Sequence, residues 1–136
     1  MKKFIAVLTM IFMFGFIGTC FASPASDLLS KEEKVSIKVI EVFSGNGEYP
    51  MVSKYFTEER LQKTDSLAFR KIKASISDKF GEVKEIKLIA LEKFDKNDRL
   101  TYLVGYTKAK VVKVILLYNV DGRNVKLNNF SFSKIQ

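Results

Sequence analysis

The stretch LTYLVGYTKAKVVKVILLYNVDG, residues 100–122, decides the fold class of this 136-residue chain. Apolar or aromatic residues recur at every second position over Leu100–Tyr106 and again over Val112–Tyr118, which is the period of half-buried β-strands. Lys108-Ala109-Lys110 predicts a turn between these two strands. Asp121-Gly122 is a strong two-residue hairpin signal. The stretch therefore predicts two antiparallel strands and a hairpin that leads to another strand.

Two further strands are predicted on either side of this stretch. One runs from about Glu82 to Phe94, with Ile86, Leu88 and Ala90 alternating, and ends at the turn Asp95-Lys96-Asn97-Asp98. The other runs from about Asn124 to Lys134 and places Phe130 and Phe132 on one face. Four consecutive strands joined by short links predict an antiparallel meander.

The residues before Gly81 have a helical period instead. Ser30-Lys31-Glu32-Glu33 is a capping-box pattern that predicts a helix start, and the apolar residues Val35, Val39, Val42 and Phe43 follow at helical spacing. A start at Ser26 or Asp27 is the alternative. Gly45-Asn46-Gly47 predicts the end of this helix, since glycine adopts the left-handed conformation found after helix ends.

A second helical region is predicted from Pro50 to Gly81. Pro50 suits a first helical turn, Thr57 begins the next helix, and a break is expected near Thr64-Asp65. Helices followed by a meander predict an α+β domain, with the N-terminal helices packed on one face of a four-stranded antiparallel sheet.

Residues 1–22 have the pattern of a secretory signal peptide. Lys2 and Lys3 precede the apolar stretch 4–17, and small residues follow up to Ala25. Cleavage is expected after Ala22, or alternatively after Ala25, and an uncleaved membrane anchor is the competing interpretation. We therefore predict an exported protein, periplasmic or extracellular, with one folded domain over residues 23–136.

Cys20 allows two interpretations. Ile17-Gly18-Thr19-Cys20 resembles the end of a bacterial lipoprotein signal, although Thr19 stands where Gly or Ala is usual. Cys20 is therefore a lipidation candidate that would anchor the domain to a membrane. In the other interpretation it is discarded with the signal peptide.

Composition excludes several kinds of site. The chain has no His and no Trp, and its single Cys lies before residue 23. Ser-His-Asp and Cys-His catalysis, zinc sites with His or thiolate ligands, iron–sulfur clusters and disulfides are therefore excluded from residues 23–136. We predict no metal and no cofactor.

The net charge is positive but dispersed. Without Lys2 and Lys3 of the signal, the 23 basic and 15 acidic residues of the chain leave a net charge of +6 for residues 23–136. These basic residues form no arginine cluster interleaved with aromatic residues, so no nucleic-acid partner is predicted. We expect contact with a membrane only through the signal segment or a lipid on Cys20.

The order of these features resembles a known superfamily. The capped helix, Phe43-Ser44-Gly45-Asn46-Gly47-Glu48-Tyr49, the junction Lys79-Phe80-Gly81-Glu82 and the two hairpins are similar to small exported bacterial domains of unknown function in the nuclear transport factor 2-like (cystatin-like) superfamily. The resemblance implies a curled sheet around a long helix, enclosing a conical cavity. Members include enzymes, binding modules and assembly subunits, and dimers through the open sheet are common among them, so the fold does not determine the function.

Three tyrosines are the ligand-pocket candidates. Tyr102 and Tyr106 lie on one strand face, and Tyr118 lies on the next predicted strand. Their hydroxyls would orient a ligand while the rings cover its apolar part. The alternative is that these residues only form cross-strand packing pairs.

We predict a non-enzymatic binding domain. It would hold a small apolar ligand in the conical pocket, or bind an envelope protein or a second copy of itself through the sheet. The alternative is an enzyme of the isomerase or hydratase type that uses a carboxylate and a tyrosine, as ketosteroid isomerases do. No catalytic residue is assigned, because Asp65, Asp95, Asp98 and Asp121 are all interpreted as cap or turn residues.

Overall fold

A computed structural model of the chain describes residues 24–121 and 124–135, and the side chains from Leu28 onward within them. The predicted signal peptide, Cys20 and Gly122 of the hairpin turn lie outside these residues. Among the described helices, none is both long and apolar enough to cross a membrane.

The described residues form helices first and strands afterwards. The helices are α1 (Pro24–Phe43), α2 (Pro50–Ser53), α3 (Glu58–Lys63) and α4 (Ser66–Phe80). The strands are β1 (Val83–Lys93), β2 (Asn97–Tyr106), β3 (Val112–Asp121) and β4 (Asn124–Lys134). This order confirms the predicted α+β class.

Helix α1 begins earlier than the capping box indicates. The described part of α1 already includes Pro24, so Ser30 lies inside the helix and is exposed, and the prediction of a start at Ser30 is wrong. The helix stops before Gly45, which has a φ of 113°.

The later helix boundaries agree with the prediction. The Thr57 side chain accepts a hydrogen bond from the Arg60 backbone N–H at 3.1 Å and caps α3. Asp65 caps α4 in the same way, through the Ala68 backbone N–H at 2.8 Å. Gly81 follows α4 with a φ of 85°, a conformation that glycine adopts without a side-chain clash.

The four strands form one curled antiparallel sheet in the order β1-β2-β3-β4, as the meander prediction requires. Leu88 lies opposite Tyr102, and Tyr102 lies opposite Val114. A bulge between Leu88 and Ala90 shifts the register, so Ala90 lies opposite Thr101. The predicted alternation of Ile86, Leu88 and Ala90 on one face is therefore wrong at Ala90, because the extra residue of a bulge moves the following side chains to the other face.

The inner face of the sheet is the face against the helices. Phe43 of α1 is fully buried there, and its ring centroid lies 5.1 Å from that of Phe69 on α4 and 4.8 Å from that of Phe130 on β4. The segment after α2 is attached to β4, because the Leu127 N–H donates to the Tyr55 carbonyl oxygen at 2.6 Å. The core therefore lies between α1, α4 and one face of the sheet.

Candidate functional site

The three candidate tyrosines lie together on the inner face, where the strand alternation predicts them. Tyr102 and Tyr106 are 2% and 3% exposed, and Tyr118 is fully buried. β2 and β3 are neighbours, so the rings project from adjacent strands towards α1. Each tyrosine is therefore part of the packed interior.

Two of the hydroxyls are hydrogen-bonded to serines of the same helical region. The Tyr118 hydroxyl oxygen lies 2.6 Å from Ser36 Oγ on α1. The Tyr106 hydroxyl oxygen lies 2.7 Å from Ser44 Oγ, just beyond the end of α1. Burial raises the pKa of both tyrosines, so the two hydroxyls stay protonated and link the sheet to the helix.

The tyrosines fall into two groups along the sheet. Tyr102 and Tyr106 are separated by four residues on β2, which corresponds to roughly 13 Å along a strand. Tyr106 lies at the Phe80 end, with a ring separation of 5.4 Å from Phe80. Tyr102 and Tyr118 lie at the other end. Their role in binding a ligand stays a prediction.

Two carboxyl groups that the sequence interpretation did not select lie beside Tyr102 and Tyr118. Glu32 on α1 is fully buried, and Asp98 on β2 is 4% exposed. Asp98 is therefore a buried strand residue, and its assignment to a turn is wrong. We name Glu32, Ser36, Asp98, Tyr102 and Tyr118 the acid–tyrosine cluster.

The periodicity of each element explains why these acids point inward. Glu32 precedes Ser36 by four residues, so the two share the buried face of α1 once the helix is known to begin before Ser30. Asp98 precedes Leu100 by two residues, so it lies on the same inner face as Leu100 and Tyr102. Extending the helical spacing of α1 back to Glu32, and the alternation of β2 back to Asp98, would have predicted that both acids face the interior.

The polar atoms of the cluster have few partners. Both carboxylate oxygens of Glu32, Asp98 Oδ2 and the Tyr102 hydroxyl are buried and accept or donate no standard hydrogen bond. Lys93 Nζ of β1 lies 3.5 Å from Asp98 Oδ2 and forms an ion pair with it. The Tyr118 hydroxyl is 3.4 Å from the backbone carbonyl oxygen of Glu32.

Glu32 has a strongly altered acidity. Burial, which removes the carboxylate from water, raises the pKa of Glu32 to about 8, and the neighbouring Asp98 carboxyl adds to the increase while Lys93 acts against it. Burial also raises the pKa of Tyr102. The cluster therefore contains a carboxyl group that is protonated at neutral pH, which suits it to donating a hydrogen bond or storing a proton.

The outer face of the sheet has a different character. We define it by Ala90, Thr101, Leu103, Ile115 and Leu117, which lie on the side away from α1 according to the strand register. At its centre, Leu103 is 8% exposed and lies outside the core cluster formed with the helices, and Ile115 and Leu117 beside it are partly exposed.

Charged residues surround this apolar centre. Leu103 lies between Lys87 and Lys113 in register. Arg99 forms two parallel bonds to Glu92, with Nε 2.9 Å and Nη2 2.8 Å from the carboxylate oxygens. An apolar centre with a charged rim is typical of surfaces that bind other proteins.

A groove of about 640 Å³ lies at one end of the sheet. Its lining includes Lys54, Phe56, Leu61, Asp121 and Lys126, and none of the three candidate tyrosines. In the described residues, no group of three or more Asp, Glu, His or Cys side chains is placed to hold a metal ion.

No protein-family model matches the chain, and no curated protein or solved structure is significantly similar to it. The interpretation of its sites therefore depends on its own geometry.

Proposed function

We propose that this chain is an exported, non-enzymatic binding domain with a nuclear transport factor 2-like fold, and that it binds an envelope protein through the outer face of its sheet. The observation that carries this proposal is the contrast between the two faces. Side chains fill the inner face, where the three candidate tyrosines are at most 3% exposed. On the outer face, Ile115 and Leu117 are partly exposed, and Leu103, which is 8% exposed, lies outside the core cluster formed with the helices.

The charges around the outer face define the chemistry of the partner. Leu103 is flanked by Lys113 and by Lys87, which pairs with Glu85 at 3.2 Å, and residues 23–136 carry a net charge of +6. An apolar patch bordered by carboxylates would match this surface, because opposite charges speed the encounter and fix its orientation. We therefore expect an acidic envelope protein.

A single-cysteine crosslinking experiment tests the proposal. Residues 23–136 contain no cysteine, so Ile115→Cys can carry a thiol-linked photo-crosslinker on the outer face of the mature protein. Ala74→Cys on the exposed side of α4 is the matched control. We expect crosslinks from Ile115→Cys to one envelope protein, and none from Ala74→Cys.

The affinity of the identified partner provides the second measurement. Lys113→Glu reverses one charge beside Leu103 and should weaken binding of the purified partner by about tenfold. Lys71→Glu, an exposed change on α4, should leave the affinity unchanged. Any of three results would overturn the proposal. The two cysteines could crosslink equally, the crosslinks could join only two copies of this chain, or Lys113→Glu could leave the affinity unchanged.

Native mass spectrometry separates this function from the small-ligand alternative. Protein purified gently from its own host should show the mass of the polypeptide, with any lipid on Cys20, and no bound small molecule. An apolar ligand among the inner tyrosines would have to displace side chains that are now buried. An additional non-covalent mass of a few hundred daltons would therefore favour the conical-pocket function instead.

A carboxylate and tyrosine enzyme is the second candidate function. The observation in its favour is that Glu32 and Asp98 lie beside Tyr102 and Tyr118. However, Tyr118 is directed towards Ser36 and the backbone carbonyl oxygen of Glu32 rather than towards a carboxylate. The acid–tyrosine cluster is also closed to solvent, so a substrate could reach it only if α1 moved.

A further inference from the structure

The acid–tyrosine cluster contains more buried acceptors than donors. Glu32 lies on α1, and Asp98 lies on β2 directly opposite Tyr118, whose hydroxyl is 3.4 Å from the Glu32 backbone carbonyl oxygen. The two buried side chains therefore share the contact between α1 and the start of β2. Neither Glu32 oxygen has a donor from another residue, and Asp98 Oδ2 has only the ammonium of Lys93 at 3.5 Å. Two ionised carboxylates cannot bond to each other, because both only accept hydrogen bonds.

We propose that Glu32 and Asp98 share one proton in the folded protein, and that this proton acts as a latch holding the first half of α1 on the sheet. Glu32 is fully buried and Asp98 is 4% exposed, so an ion left unpaired there would be costly. With one proton present, Glu32 donates to Asp98, and Asp98 keeps its ion pair with Lys93. Loss of the proton leaves two like charges facing each other across the contact between helix and sheet.

The other groups around Glu32 reinforce this arrangement. Lys93 approaches from β1 and pairs with Asp98, which leaves Glu32 as the group without a cation. Tyr102 from β2 and Tyr118 from β3 are also buried, and Glu33 beside Glu32 on α1 is half-buried. Burial raises the pKa of both tyrosines. Both tyrosines therefore keep their protons while Glu32 titrates, and burial also raises the pKa of Glu33.

The latch gives the closed interior a way to open. α1 covers Tyr102 and Tyr118, and Ser36 of α1 is bonded to Tyr118. When the proton leaves, repulsion between Glu32 and Asp98 weakens the packing of α1 on the sheet around Ser36. Helix α4 takes no part in the contact between Glu32 and Asp98. This inference does not depend on the proposed binding function, since it concerns only contacts inside the domain.

Infrared spectroscopy tests whether the proton is there. At pH 6.5 the purified protein should show the carbonyl band of a protonated carboxylic acid, which Glu32→Gln or Asp98→Asn should remove or shift. Glu41→Gln, an exposed change on the same helix, should leave the band unchanged. If the variants do not fold, the band of the wild-type protein and its loss above pH 8 still decide the question.

Hydrogen exchange tests whether the proton holds α1. After correction for intrinsic exchange rates, the protection of α1 amides from Leu28 onward should fall by close to tenfold per pH unit between about pH 5 and pH 7, and level off above about pH 8. The protection of α4 amides should change much less. Glu32→Gln should abolish the difference between the two helices, and Glu41→Gln should retain it.

Either of two results would overturn the latch. One is the absence of a carboxylic acid band at pH 6.5, and the other is an equal change of protection in α1 and α4. If the band is absent and the unfolding temperature depends on added Ca²⁺ or Mg²⁺, the buried oxygens of Glu32, Asp98 and Tyr102 that accept no hydrogen bond hold a cation instead of a proton.

Discussion

The hydroxyl oxygen of Tyr118 on β3 lies 2.6 Å from the hydroxyl oxygen of Ser36 on α1, and both side chains are buried. The two residues are 82 positions apart in the chain. Their bond therefore joins the first described element to the third strand inside the buried acid–tyrosine cluster. A buried hydroxyl that loses its partner retains the cost of its removal from water, so the pair matters for stability.

Breaking this bond from either side should destabilise the domain. We expect Ser36→Ala to lower the free energy of unfolding by about 1 to 3 kcal/mol, because Tyr118 is then left without its close partner. In a double-mutant cycle with Tyr118→Phe, the two changes should show a coupling of about 1 kcal/mol. Urea denaturation of the four proteins measures both quantities.

The second serine–tyrosine pair supplies the matched control. Ser44 and Tyr106 form a similar bond of 2.7 Å at the other end of the interior. Combining Ser36→Ala with Tyr106→Phe should give additive effects, because those residues share no contact. Additivity between Ser36→Ala and Tyr118→Phe would instead show that the 2.6 Å contact contributes nothing.

Phe43 is the aromatic centre of the core, and its removal should be severe. Its ring lies 5.1 Å from Phe69 and 4.8 Å from Phe130, so Phe43→Ala leaves a cavity between α1, α4 and β4. We expect a loss of about 3 to 5 kcal/mol in the free energy of unfolding, measured by urea denaturation. Leu67→Ala, at a side chain 55% exposed on α4, should cost far less. Similar losses for the two variants would contradict this account of the core.

Most of the fold could be predicted from the sequence, because its signals are local. The alternation in β2 and β3 gives the meander, and the side chains of Thr57 and Asp65 mark the starts of α3 and α4. The start of α1 was missed because Ser30 offers a complete capping pattern inside a helix that continues upstream. A local pattern cannot show that the preceding residues are already helical.

The candidate site was predicted only in part. The strand period places Tyr102, Tyr106 and Tyr118 on the inner face, and the structure agrees. Glu32 and Asp98 were missed because acids near a helix start and a turn are usually solvated or capping residues. Their burial depends on the packing of α1 over the start of β2, and the partners in that contact are far apart in the sequence.

Gly81 is the junction between α4 and β1, and it should not tolerate a side chain. Its φ of 85° disfavours other residues, and a Cβ there would collide with the side chain of Thr107. We expect Gly81→Ala to lower the free energy of unfolding by about 1 to 3 kcal/mol. Gly105→Ala is the matched control, because the nearest atom to its Cβ would be the Lys110 carbonyl oxygen at 3.5 Å, an ordinary contact. Thermal unfolding that ranks the two variants in the opposite order would refute this.

Glu32 should determine whether the free energy of unfolding rises or falls with pH. Burial raises the pKa of Glu32 from 4.5 in its ordinary state to about 8 in the fold, so the folded state binds more protons than the unfolded state between these values. The contribution of this group to stability is therefore complete below about pH 4.5 and is lost as the pH rises through about 8. We expect the free energy of unfolding to fall by about 2 to 4 kcal/mol between pH 5 and pH 9, as measured by urea denaturation at each pH. Glu32→Gln should flatten this slope, and Glu41→Gln should retain it. A stability that rises with pH over this range in the wild-type protein would show that Glu32 is ionised in the fold.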